Sequence, residues 1–135
     1  MKIIVFGATG DVGRKVVAEA LSRQHHVTAV GRSEAKLAEL PAGTQTIVAD
    51  LTTGSQRVAN MVADSDLVIS ALRPDAGHEQ MMVGLTRTVL SAAKDEGLPI
   101  IITGGAARLK LADGSEHTVL SAPDYLPESV RPIAQ

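Results

Sequence analysis

Residues 3 to 13, Ile-Ile-Val-Phe-Gly-Ala-Thr-Gly-Asp-Val-Gly, set a short apolar run directly before Gly7, Gly10 and Gly13, glycines spaced three apart. The run Ile3 to Phe6 is too short for a buried helix, and its β-branched content suits a parallel strand covered on both faces. Gly7 makes the sharp exit from that strand. Gly10 lets backbone approach a pyrophosphate that a Cβ would hold off, and Gly13 lets the following helix pack close to the sheet. The free N–H groups of that helix's first turn, Asp11 to Gly13, and its dipole face the same anion. An ordinary strand-to-helix turn can carry such glycines, but here the strand before and the amphipathic helix after supply the context of a dinucleotide phosphate site.

The rest of the chain repeats this alternation. Val12, Val16, Val17, Ala20 and Leu21 fall at helical spacing and predict a helix from about Asp11 to Ser22. His26 to Gly31 reads as a second strand, and Ser33 caps a short helix through Leu40, broken by Pro41-Ala42-Gly43. Thr44 to Ala49 is a third strand, Asp50 to Gly54 a loop, and Val58, Met61 and Val62 mark a third helix. Asp66 to Leu72 is a fourth strand, Arg73 to Gly77 a turn, and His78 to Asp95 a long helix burying Met82, Leu85, Val89 and Ala92 or Ala93. Gly97 and Pro99 end that helix, and Pro99 to Thr103 is a fifth strand. Right-handed crossovers then give an α/β fold, a Rossmann-type doubly wound parallel sheet of order 3-2-1-4-5, with ligands at the carboxyl ends near the switch between strands one and four.

Residues 1–105 thus form a nucleotide-binding unit and 106–135 an irregular tail, rich in glycine and proline, that starts an incomplete substrate-side region. Because strand five lacks cover, the tail predicts either further C-terminal strands beyond Gln135 or a second subunit in a homo-oligomer.

Composition narrows the function. A chain of 135 residues with 44% hydrophobic content supports one core. With 13 basic and 15 acidic side chains, and Phe6 and Tyr125 as its aromatic residues, it offers neither a basic stripe nor stacking rings for nucleic acid. It has no cysteine for a disulfide, thiolate or zinc site, and no histidine spacing that suggests a metal. No stretch is apolar enough to span a membrane and no signal pattern precedes the first strand, so a cytoplasmic protein is expected.

Several residues at strand ends are candidates for chemistry. Arg32 stands where NAD-selective folds place an acidic group, so it reads as a contact to a 2′-phosphate, with Ser33 adding a hydroxyl; a solvated surface arginine is the alternative. Asp50 and Leu51 either flank an adenine ring or form a helix-capping loop. Ala71 and Leu72 leave room for a ribose and diphosphate, with Arg73 in the adjoining loop. His78 is either a proton donor beside the crevice or a surface residue.

Gly7-Ala-Thr-Gly-Asp-Val-Gly13, Gly31-Arg32-Ser33, Ala49-Asp50-Leu51 and Ile102-Thr-Gly-Gly-Ala106 together resemble the atypical short-chain dehydrogenase/reductases, in particular the NmrA-like and flavin reductase (biliverdin reductase B)-like NAD(P)H-binding proteins. The resemblance implies an extended cofactor along Gly7, Thr9, Gly10, Val12, Arg32, Asp50, Leu51 and Ala71, with the nicotinamide near Thr103 and Gly104. Thr103 is then a catalytic candidate, or else a strand-end residue bonding its own turn. Typical members use a tyrosine with a lysine four residues on, and here Ser129 follows Tyr125, so that proton machinery is absent. The expectation is an NADPH-preferring reductase that passes hydride to a flavin, quinone or similar small-molecule acceptor. The alternative is a non-catalytic NADPH sensor, ordered around Arg73 and Gly105, that regulates a protein partner.

Overall fold

The computed structural model describes residues 1–104, so the tail 106–135, Gly105, His117 and Tyr125 lie outside the described residues. The elements are β1 (Lys2–Phe6), α1 (Asp11–Ser22), β2 (His26–Gly31), α2 (Glu34–Ala38), β3 (Gln45–Val48), α3 (Ser55–Val62), β4 (Leu67–Ser70), α4 (Met81–Asp95) and β5 (Ile100–Ile102). All strand pairs are parallel and the order is β3-β2-β1-β4-β5, the Rossmann-type sheet that the strand and helix alternation predicts.

Successive strand residues point to opposite faces, and both faces are covered. Ile3 and Val5 of β1 join Val27 and Ala29 of β2 against Val17 and Ala20 of α1 and Leu37 of α2. Ile4, Phe6, Val30 and Val68 turn the other way, onto Val58 and Val62 of α3 and Val89, Ala92 and Ala93 of α4. This is why β1 reads as an unbroken apolar run. Each fully buried Val, Leu, Ile or Phe among them contributes about 1.5 to 3 kcal/mol by leaving water.

Three local expectations are corrected. Val12 is 51% exposed and does not share the packed face of α1 that its spacing predicts, whose buried residues are Gly13, Val17 and Ala20 with Val16 and Leu21 beside them. The long helix starts at Met81 instead of His78. Gly77 there adopts φ +87°, the Glu79 carboxylate accepts the Gly77 N–H at 3.0 Å, and Met81 and Met82 donate to carbonyls three residues back, so the segment is held as successive turns. The loop after β3 contains a 3-10 turn, Leu51–Thr53.

At the sheet's edge, Thr103 donates both its N–H, at 2.9 Å, and its hydroxyl, at 3.1 Å, to the Ser70 carbonyl, tying the ends of β4 and β5. Ile101 and Ile102 of β5 are exposed among the described residues.

Candidate functional site

The carboxyl ends of the strands open onto one cavity of about 410 Å3, within the range of small-molecule sites. Gly7, Thr9 and Gly10 reach it from β1, Val30, Gly31 and Arg32 from β2, and Lys36 from α2. Ala49 to Thr52 follow β3, Ala71 to Asp75 with His78 follow β4, and Met81 and Leu85 come from α4. β1 and β4 are the neighbours at which the winding of the sheet reverses, and diverging loops leave a crevice at that point.

The glycines of the first loop divide into two kinds. Gly7 has φ +72°, and a Cβ on it would lie 2.4 Å from the Ala71 carbonyl oxygen. A Cβ on Gly13 would lie 2.1 Å from the Gly7 carbonyl oxygen. Both are needed for the chain to fold this way. Gly10 is different: its φ is −77°, open to any residue, and its Cβ would meet only the Gly7 carbonyl oxygen at an ordinary 3.5 Å. Among the described residues nothing fills the space that this glycine leaves at the cavity. Beside it, the first turn of α1 has no side-chain cap among those residues, so its N–H groups face outward as an anion site would need. The Arg14 guanidinium steadies the loop by donating to the Thr9 carbonyl at 3.0 Å. Such a cradle fits a diphosphate.

The NAD(P)H-binding family model matches residues 7–126. The chain belongs to that family. Among relatives of this NAD(P)H-binding protein, YwnB of Bacillus subtilis (strain 168) is 29% identical over 136 residues, which span 99% of this chain and 61% of YwnB. The nitrogen metabolite regulation-like protein bik4 of Gibberella fujikuroi is 28% identical over 131 residues, spanning 92% of this chain and 39% of bik4. Among solved structures, SP1627 of Streptococcus pneumoniae TIGR4, a candidate NADH-flavin reductase, superposes with a TM-score of 0.80 at 27% identity, over 99% of this chain and 60% of that one. The chain therefore spans about three fifths or less of the length of these relatives.

Of the residues that the NAD(P)H-binding chain's sequence singles out, Gly7, Thr9, Gly10, Arg32, Asp50, Leu51, Ala71, Leu72, Arg73 and His78 line the cavity. Asp11, Val12, Gly13, Ser33, Thr103 and Gly104 do not. Gly13 is buried beneath Gly7, and Ser33 uses its Oγ to accept the Lys36 N–H and cap α2. The Thr103 hydroxyl is engaged by the Ser70 carbonyl. The cavity wall adds Lys36, Thr52, Asp75, Met81 and Leu85, which the sequence reading missed as site residues. Lys36 had a signal: it is a second cation in the first turn of the short helix that Ser33 caps directly after Arg32.

Asp50 caps the 3-10 turn as well as lining the cavity. It accepts the Thr52 hydroxyl at 2.7 Å and the Thr52 N–H at 2.9 Å, and these bonds, the hydroxyl's first, hold its carboxyl below the usual aspartate range. A lowered folded value means that its contribution to stability is present above the unfolded value and is lost as pH falls through the folded one. In a carboxyl NMR titration Asp50 is expected to titrate below about 4, the ordinary aspartate value, and Thr52→Val, which deletes the hydroxyl but keeps the N–H, is expected to move it upward. Among the described residues no group of His, Cys, Asp and Glu is placed to hold a metal ion, and no helix is long and apolar enough to cross a membrane.

Proposed function

We propose that the cavity holds the adenosine and diphosphate part of NADPH, and that the protein is a reductase delivering hydride to a flavin, quinone or similar small acceptor. The observation that carries the reading is Gly10, a glycine at the cavity that neither its φ of −77° nor steric crowding among the described residues requires. In this reading Gly7, Thr9, Gly10 and the N–H groups of Asp11, Val12 and Gly13 receive the diphosphate. Arg32 and Lys36 receive a 2′-phosphate, Asp50 and Leu51 flank the adenine, and Ala71, Leu72 and Arg73 border the ribose. The bound dihydronicotinamide, near Thr103 and Gly104, supplies the hydride. Thr103, with its hydroxyl held by Ser70, shapes that end of the site, and His78, exposed at the rim, is the proton-donor candidate. A flavin or quinone takes its balancing proton readily from water, so the side chains need mainly to orient and to exclude solvent. The likeness to SP1627 supports a reductase, and in this reading NADPH of the cytoplasm is the pool drawn on.

A sensor is the second reading, supported by the likeness to bik4 and by the missing tyrosine and lysine pair. Steady-state NADPH oxidation against a panel of flavins and quinones separates the two. Turnover with any acceptor favours the enzyme, and tight NADPH binding with no turnover favours the sensor.

The 2′-phosphate assignment makes its own prediction. A charge-assisted hydrogen bond is worth roughly 1.5 to 3 kcal/mol, so Arg32→Ala is expected to weaken NADPH binding about 10- to 100-fold with little effect on NADH. Isothermal titration of both cofactors checks it, and equal affinities in the unmodified protein would sink the assignment.

A further inference from the structure

The cation assigned to the phosphate already has a partner. Arg32 Nη2 donates to Asp75 Oδ2 at 2.9 Å, joining the end of β2 to the loop after β4 across 43 positions of sequence. Among the described residues the other ion pair, Arg23 with Glu19, joins α1 to the residue that caps its own end, so this is the one that links two walls of the cavity. Asp75 is not on a slack loop. Pro74 restricts the backbone just before Asp75, and the Asp75 carbonyl accepts the His78 N–H at 2.9 Å in the turn that Gly77 closes at φ +87°. Lys36, on the same wall as Arg32, has no carboxylate partner among the described residues.

We propose that Asp75 is a specificity-determining residue of the cavity, an internal competitor that occupies Arg32 until a nucleotide bearing a 2′-phosphate displaces it. The inference rests on the nucleotide reading of the cavity. A phosphate dianion and a carboxylate both seek the planar guanidinium fork, and only the ligand with the extra phosphate has to break the Arg32–Asp75 pair in order to gain its own. Discrimination by Arg32 is therefore weaker than a free arginine at that position gives. Both side chains are more than half exposed, at 61% and 66%, which makes the pair breakable by a ligand and its effect modest.

The test compares adenosine 2′,5′-diphosphate with 5′-AMP, which differ only in the 2′-phosphate, by isothermal titration on the full 135-residue chain. In Asp75→Asn the preference for the bisphosphate is expected to rise about 1.5- to 5-fold, the span of an exposed ion pair converted at 1.4 kcal/mol per tenfold. In an Arg32→Ala background, where Lys36 still supports measurable binding, the Asp75→Asn effect is expected to vanish. An unchanged or lowered preference overturns the proposal. So does a gain that persists without Arg32, since that reports plain charge repulsion by Asp75 and no competition. If the unmodified protein binds neither nucleotide, the reading of the cavity fails and takes the competitor with it, an outcome distinct from binding whose preference Asp75 does not control.

Discussion

Gly10→Val is expected to abolish NADPH binding in a protein that stays folded. The new side chain stands at the cavity on backbone that any residue adopts, its Cβ in ordinary contact with the Gly7 carbonyl oxygen. The cost to the fold is a poorer helix cap, about 1 kcal/mol. The cost to the ligand is much larger, because valine methyls occupy the space of the diphosphate and lift it from the first turn of α1. Losing two charge-assisted hydrogen bonds amounts to roughly 3 to 6 kcal/mol, a factor of at least about 100 in affinity. Titration calorimetry alongside a thermal melt reads both halves. Retained affinity in a folded variant removes the phosphate-loop reading of the cavity.

Gly13→Ala, by contrast, is expected to destabilise the fold itself. Its Cβ would sit 2.1 Å from the Gly7 carbonyl oxygen and 2.8 Å from the Ala8 Cα, both backbone atoms that no rotamer change can move. Helix α1 has to shift off the sheet, disturbing Val17 and Ala20 against Ile3 and Val5. Overpacking of this severity lies at or above the usual range, about 3 kcal/mol, which for a domain of this size lowers the melting temperature by roughly 10 °C or more. Circular dichroism melts settle it, and an unchanged midpoint would show that α1 is not seated where the contacts place it. Two glycines three residues apart in one motif thus have opposite failures, one in binding and one in folding.

The strand order and both core faces were legible because β-branched runs, crossover helices and their terminators recur along the chain in one consistent pattern. So was most of the packed face of α1, where Val17 and Ala20 are buried and Val16 and Leu21 pack beside them. Its first turn was not: the buried residue there is Gly13, which carries no hydrophobic signal, and Val12 faces solvent. The start of α4 was hidden for a related reason: Gly77 and the Glu79 carboxylate hold turns where the residue types alone permit helix. At the site, strand-end residues such as Arg32, Asp50 and Ala71 could be read from position alone. Asp75 could not, because its significance comes from a partner 43 positions away that only the folded sheet brings within 2.9 Å. The helical spacing marks Leu85 as packing on the sheet and gives no sign of Met81, and the place of both in the cavity wall follows from where α4 begins.

The contact between Gly7 and Ala71 bears on how such a protein can be re-engineered. With the Ala71 carbonyl oxygen 2.4 Å from where a Gly7 Cβ would be, and the Ala71 N–H donating at 2.9 Å to the Phe6 carbonyl, the two strand ends are cut to one another's shape. The atoms that crowd position 7 belong to the backbone of residues 71 and 72, so changing those side chains gives no relief. A grafted phosphate loop is therefore tolerated only if it brings glycine at position 7, whatever side chains follow β4.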